Sequence, residues 1–241
     1  MSDTVPSRQA GGSSAVVDPT ATPAARMRPA VAAVGWTASI VITVVGFLLW
    51  VRSGFAPLPQ GFMSPFGFVA LISLVATQAT AGLILSVRRP DNPIGLIILA
   101  FALAVSLASL TNGYGALAIT GATLTLDPAW VAAITSAVAF SVGTLVAVIL
   151  GMVFPDGRLL SPAWRLVVVT SIIGAAAMGL GIVLTPGPLL LLPGIDGPIG
   201  EDQVPAWVDV ARDLIGPVFL ALGSIASGTA LVLRYRRAEA L

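Results

Sequence analysis

Long apolar runs separated by short polar ones occupy most of this chain. Six apolar stretches stand out, at residues 31–51, 66–87, 94–117, 129–153, 166–185 and 208–233. Each is near or above the roughly 20 residues a helix needs to cross a hydrocarbon core of about 30 Å. None alternates with period two, as the strands of a membrane barrel do. A backbone surrounded by lipid must satisfy its own hydrogen bonds, which leaves helix. The pattern therefore predicts an all-α fold, a polytopic membrane protein built as a six-transmembrane-helix bundle over residues 30–234.

Local chemistry marks the boundaries. Ser64-Pro65, Asn92-Pro93, Asp127-Pro128 and Ser161-Pro162 each set a capping residue before a proline. Proline is tolerated in a first turn because its missing N–H would have no intrahelical partner there. Val204-Pro205 plays the same part before the last stretch. Trp36, Trp50, Trp130, Trp164 and Trp207 all fall near predicted helix ends, where an indole is half wetted. Residues 1–29 are rich in Ser, Ala, Gly, Pro and Thr without an apolar run, and read as a disordered tail. No convincing cleavage site follows the first apolar stretch, so it is not read as a secretory signal. Residues 235–241 form a short tail at the other end.

Composition agrees with the pattern. Hydrophobic residues make up 56% of the chain and charged residues only 10%, against roughly 25% charged in a soluble domain. The bias toward Ala, Val and Arg suits a GC-rich bacterial genome. Cysteine and histidine are both absent, and all 12 basic residues are arginine. Thiolate metal sites, a histidine general base, a phospho-acceptor histidine and a phosphate-loop lysine are thereby excluded. No catalytic, cofactor-binding or metal-ligating set is expected, and no cofactor.

Arginine decides orientation. Arg8, Arg26, Arg28, Arg88, Arg89, Arg158, Arg165, Arg234, Arg236 and Arg237 fall on one side of the six-span arrangement, and only Arg52 and Arg212 on the other. By the positive-inside rule both termini are expected in the cytoplasm, N-in and C-in, in the cell membrane. These arginines are too scattered for a nucleic-acid surface and are expected to contact anionic lipid head groups instead. The lipid bilayer is the first partner.

Polar groups inside the spans are few. No charge lies near a predicted bilayer centre, which disfavours a proton-coupled pump or a voltage sensor. Asp209, Arg212 and Asp213 occupy the first turns of the last span, where the arginine is expected to snorkel outward. Gln78 and Asn112 cannot satisfy their amides against lipid and are expected to face other helices, as interhelical bonds or as the lining of a small-molecule pocket. Small residues repeat along the last two spans: Ser171, Ala175 and Gly179, then Gly216, Ser224 and Gly228 beside Gly223 and Ser227. They suit close packing within the bundle or a homodimer seam. Pro217 is expected to kink the last helix. The outer segment 186–206 carries five prolines and is read as an irregular connector or a ligand-contacting cap, with Leu189–Leu192 dipping into the interface.

The inner loops carry the most specific sequence. They read RRPDNPIGLIILA at residues 88–100 and FPDGRLLSPAWR at residues 154–165, while TPGPL opens the outer segment and RYRRAEAL closes the chain. In this order the motifs resemble the N-terminal membrane domain of a group of actinobacterial sensor histidine kinases, over about residues 35–241. The resemblance implies a sensory or signal-coupling module of a two-component system, in which a cytoplasmic kinase or response-regulator system is the partner. Coupling or packing roles are expected for Arg88, Arg89, Asn92, Pro93, Asp156, Gly157, Arg158, Pro217, Arg234, Arg236 and Arg237, with the loop motifs read either as simple tight turns or as an inner surface that meets a kinase module. In that family kinase modules follow the bundle, whereas this sequence holds no phospho-acceptor histidine and no ATP-binding motif. The expectation is a non-enzymatic chain, either part of a kinase or a stand-alone relative of its input domain. The alternative is a small transporter or channel subunit, or a structural membrane protein.

Overall fold

Six helices long and apolar enough to cross a membrane frame the computed structural model, which describes residues 23–56, 65–124, 126–189 and 192–239. The first five are α1 (Pro23–Arg52), α2 (Pro65–Arg88), α3 (Ile94–Ile119), α4 (Pro128–Val153) and α5 (Trp164–Leu184). The last helix joins three runs, an opening Trp207–Val210, a π-helical Ala211–Ile215 and a long Gly216–Glu239. The fold is thus all-α, with a small two-stranded accessory.

Helix ends follow the local chemistry at some boundaries and depart from it at others. Asp127 caps α4, its carboxylate accepting the Ala129 N–H at 2.9 Å. Asn92, one residue before the N-cap Pro93 of α3, accepts the Ile94 N–H at 3.0 Å. Ser161 does not cap α5. The helix begins three residues later, after a turn in which Ser161 offers its backbone carbonyl to Trp164. The expected tails are also shorter. Helix α1 already runs from Pro23, because the Ala24–Arg28 stretch is made of strong helix formers, and the last helix continues to Glu239 for the same reason. The rest of the expected tail, residues 1–22, lies outside the described residues, as does Ser64.

Helix α3 is the hub. It packs against α1, α2 and α4, while α4, α5 and the last helix close the other half. Glycine makes the closest approaches. A Cβ on Gly95 would lie 2.6 Å from the Ser86 backbone nitrogen and 2.7 Å from the Gly82 carbonyl oxygen, and one on Gly113 would collide with the Gly46 carbonyl. The small-residue stripes of the last two spans serve the bundle itself in part. Ser171 abuts Gly223, and Gly151 of α4 abuts Ser227. Gly228, by contrast, faces open space.

At one end of the bundle an aromatic cluster joins four helices. Trp50 stacks on Phe68 with centroids 4.9 Å apart and meets Phe55 edge-on. Ala116, Ala132 and Ala133 complete the cluster. Trp50 is therefore not half wetted as expected. It is buried, and its indole N–H donates to the Ala56 carbonyl at 3.3 Å. Trp130 and Trp207 are exposed, as an interfacial indole requires.

The outer segment folds over this cluster. Strands β1 (Pro188–Leu189) and β2 (Leu192–Asp196) pair antiparallel, and a 3-10 turn at Glu201–Gln203 follows. Leu189 is 2% exposed, inside the Trp50 and Phe68 cluster, rather than dipping into an interface. Leu190 and Leu191 lie outside the described residues. Among its described residues the segment is a lid over the cluster, made of two short strands and a 3-10 turn.

The close glycine contacts predict a sharp contrast. Gly95→Val should lose about 1–3 kcal/mol through overpacking against backbone that has no flexible end to yield. Gly228→Ala should be neutral or stabilise by up to about 1 kcal/mol. Unfolding midpoints in mixed micelles of increasing SDS fraction measure both.

Candidate functional site

At the end opposite the lid, the two arginine-bearing loop motifs and the C-terminal helix form one junction. It begins with the backbone needs of α4. The last four carbonyls of a helix lack intrahelical partners. Leu150 and Val153 find theirs in the chain just beyond, at Phe154 N–H (2.9 Å) and Gly157 N–H (2.8 Å). The Met152 carbonyl accepts from Arg234 at 3.0 Å, a residue 82 positions away on the last helix. The same guanidinium reaches the Arg158 carbonyl and pairs with Asp156 at 3.0 Å. A cation is also favoured there by the partial negative charge of a helix C-terminus. The Arg234 side chain is only 13% exposed, whereas Asp156 is 70% exposed. Arg234 therefore acts as a peg set in the α4–α5 turn.

The α2–α3 turn is locked to the same place. Asn92 uses both ends of its amide, accepting from Ile94 and donating to the Pro155 carbonyl at 3.2 Å. Gly157 has φ of +72°, a conformation that favours glycine. A Cβ there would also collide with Asn92 and lie 2.6 Å from the Pro93 ring. Arg28, at the start of α1, donates to the Pro90 carbonyl at 2.7 Å. The RRPDNP and FPDGR motifs, which look like separate tight turns along the chain, are thus two halves of one joint.

Of the residues singled out from sequence, this joint brings together Arg88, Arg89, Asn92, Pro93, Asp156, Gly157, Arg158 and Arg234 around two neighbouring hollows, and Arg237 lines the smaller. Arg236 is exposed on the last turn of its helix. Pro217 stands apart, near the lid. From it to Arg234 the helix rises about 25 Å.

Proline is accommodated at position 217 in a specific way. Lacking an N–H, it leaves the preceding turn short of a donor. The chain widens into the π run Ala211–Ile215, and Gly216 N–H reaches back to the Ala211 carbonyl. Beside that run lies a cavity of about 450 Å³, lined by Met178, Ile182, Thr185, Pro188, Leu189 and Pro217 together with Arg212 and Asp213. Arg212 of this run reaches from beside Gly181 toward the end of α5. It lies flat across Gly181, donates to the Thr185 hydroxyl at 2.8 Å, and meets Asp213 at 2.7 Å and Asp209 at 3.1 Å. Nothing in the sequence around Arg212 signals its pairing with Gly181 and with Thr185, the C-cap of α5.

The intramembrane amides also need correction. Asn112 is buried, but it donates to the Ala108 carbonyl of its own helix at 2.8 Å and does not bridge helices. Gln78 is half-buried and makes no hydrogen bond among the described residues. Interhelical polar contacts come from hydroxyls: Thr111 of α3 bonds Thr135 of α4, and Thr80 of α2 accepts the Trp36 indole N–H at 3.3 Å. A short hydroxyl reaches a neighbouring helix without the bulk that holds helices apart.

No family model matches this chain, and neither the curated proteins nor the solved structures give a match.

The peg geometry predicts unequal partners. Arg234→Gln leaves the Met152 and Arg158 carbonyls short of a charged donor and should cost about 1.5–3 kcal/mol. Asp156→Asn removes only an exposed ion pair and should cost less than about 1 kcal/mol. The same SDS titration reads both, and equal losses would contradict the peg.

Proposed function

We propose that this chain is a sensory, signal-coupling module of a two-component system. It sits in the cell membrane with both termini cytoplasmic, and its output passes to a cytoplasmic kinase or response-regulator partner. The observation that carries this reading is the last helix. It begins beside an outer cavity, passes through a π turn and Pro217, and ends in a joint that gathers both inner loops. A π turn is a common mark of a functional point in a helix.

The mechanism follows from stiffness. A change in packing at the cavity alters the π turn and rotates or tilts Gly216–Glu239 as a unit. Arg234 is held by three oxygens on the α4–α5 turn, so movement of the helix strains or releases that turn. The tail beyond Arg237 then changes angle. The resemblance of both loop motifs to the sensor-kinase membrane domain supports the same direction of signal.

The test is a fusion of the full chain to a histidine-kinase catalytic module, read by autophosphorylation in proteoliposomes. Pro217→Ala restores the missing donor and should shift the signalling balance by roughly five-fold or more, the lower end of usual coupling energies. One residue inserted after Arg237 turns everything beyond it by about 100° and should shift the balance as well. Unchanged phosphorylation in both would sink the mechanism.

A further inference from the structure

The larger hollow at the joint has about 760 Å³ of room and is lined by Arg28, Arg88, Arg89 and Arg158, with Asp91 and Asp156. Asp156 is committed to Arg234, which lies outside that lining. Asp91 is left as the carboxylate facing four guanidinium groups. Among the described residues Arg88, Arg89 and Arg158 form no ion pair. Arg28 spends one of its donors on the Pro90 carbonyl and keeps the others.

The fold holds these cations together. Arg28 lies in the second turn of α1, Arg88 closes α2, Arg89 starts the turn that Asn92 ties to Pro155, and Arg158 follows Gly157 in the partner turn. Guanidinium groups gathered around one space repel one another, and an anion that enters relieves the repulsion. Their planar forks match the oxygens of phosphate in pairs. Position adds a further argument. Arg28 and Arg88 lie at or next to the ends of the spans Met27–Arg52 and Phe66–Arg88, the depth at which head-group phosphates sit.

We propose that this hollow binds a phosphate compound of net negative charge, in preference to a zwitterionic one, a step independent of the signalling mechanism above. The head group of an anionic lipid and a soluble phosphate compound both carry that chemistry, and separate arms of one experiment distinguish them. In the first arm the purified full chain is offered equal amounts of phosphatidylglycerol and phosphatidylcholine, and retained lipid is counted by native mass spectrometry. In the second arm, pyrophosphate is titrated calorimetrically into the chain in phosphatidylcholine nanodiscs.

Selective retention of phosphatidylglycerol assigns the site to lipid, and pyrophosphate binding assigns it to a soluble ligand. In whichever arm binds, Arg88→Gln and Arg89→Gln should each weaken binding roughly five-fold. Arg52→Gln, at the other end of the bundle, should leave it unchanged. Asp91→Asn removes the opposing carboxylate and should strengthen binding, a gain that a misfolded chain cannot produce. The proposal is overturned if neither anion binds in preference to phosphatidylcholine. It is overturned equally if Arg88→Gln and Arg89→Gln behave like Arg52→Gln, or if Asp91→Asn fails to strengthen binding.

Discussion

Hydrocarbon offers a peptide group no hydrogen-bond partner, and the architecture of this chain is a set of answers to that constraint. Along the spans the answer is α-helix. At the helix ends it must come from elsewhere, and this protein recruits distant parts of its own chain. The α4 terminus takes a donor from the last helix, and the Pro155 carbonyl takes one from the α2–α3 turn. Where Pro217 removes a donor inside the last helix, the ladder widens by one residue and closes again at Gly216. Side-chain hydroxyls mostly turn back to carbonyls of their own helix, as Thr43, Ser171 and Thr229 do.

These answers make the two ends of the bundle physically different. The lid end is held by aromatic stacking and by Leu189 pressed into a shared apolar cluster. Such contacts depend on the fit of apolar surfaces, with the rings in defined stacked and edge-on geometries. The arginine-rich end is held by hydrogen bonds to named carbonyls, with Gly157 admitting Asn92 where no Cβ would fit. Such contacts are directional and break or hold. Helix Gly216–Glu239 joins the two ends.

Much of the frame was legible in the sequence because it depends on neighbouring residues. Apolar runs of span length mark the six helices, and Asp127-Pro128 and Asn92-Pro93 mark real helix starts. The loop residues singled out as coupling candidates do converge in space. What was not legible depends on residues far apart in the chain. Nothing near Leu189 indicates that Trp50 and Phe68 await it, so its neighbours' apolarity suggested a lipid interface instead. The partners of Arg212 were not legible either, because Gly181 beneath its stem and its acceptor Thr185 lie some thirty positions away in the chain. Asn112 looked like a bridge between helices because an amide in a span needs a partner, yet a carbonyl one turn back in its own helix was nearer.

The account stands on the two ends of this bundle facing opposite sides of a membrane, with the arginine-rich joint inside the cell. The chain has no cysteine, so a single introduced one is a unique label site. Cysteines placed singly at Asp91, Asp156, Asp127 and Asp196, probed with a membrane-impermeant maleimide in intact and permeabilised cells, test this directly. Positions 127 and 196 should label in intact cells, and positions 91 and 156 only after permeabilisation. Labelling of all four positions in intact cells, or of 91 and 156 alone, would contradict it.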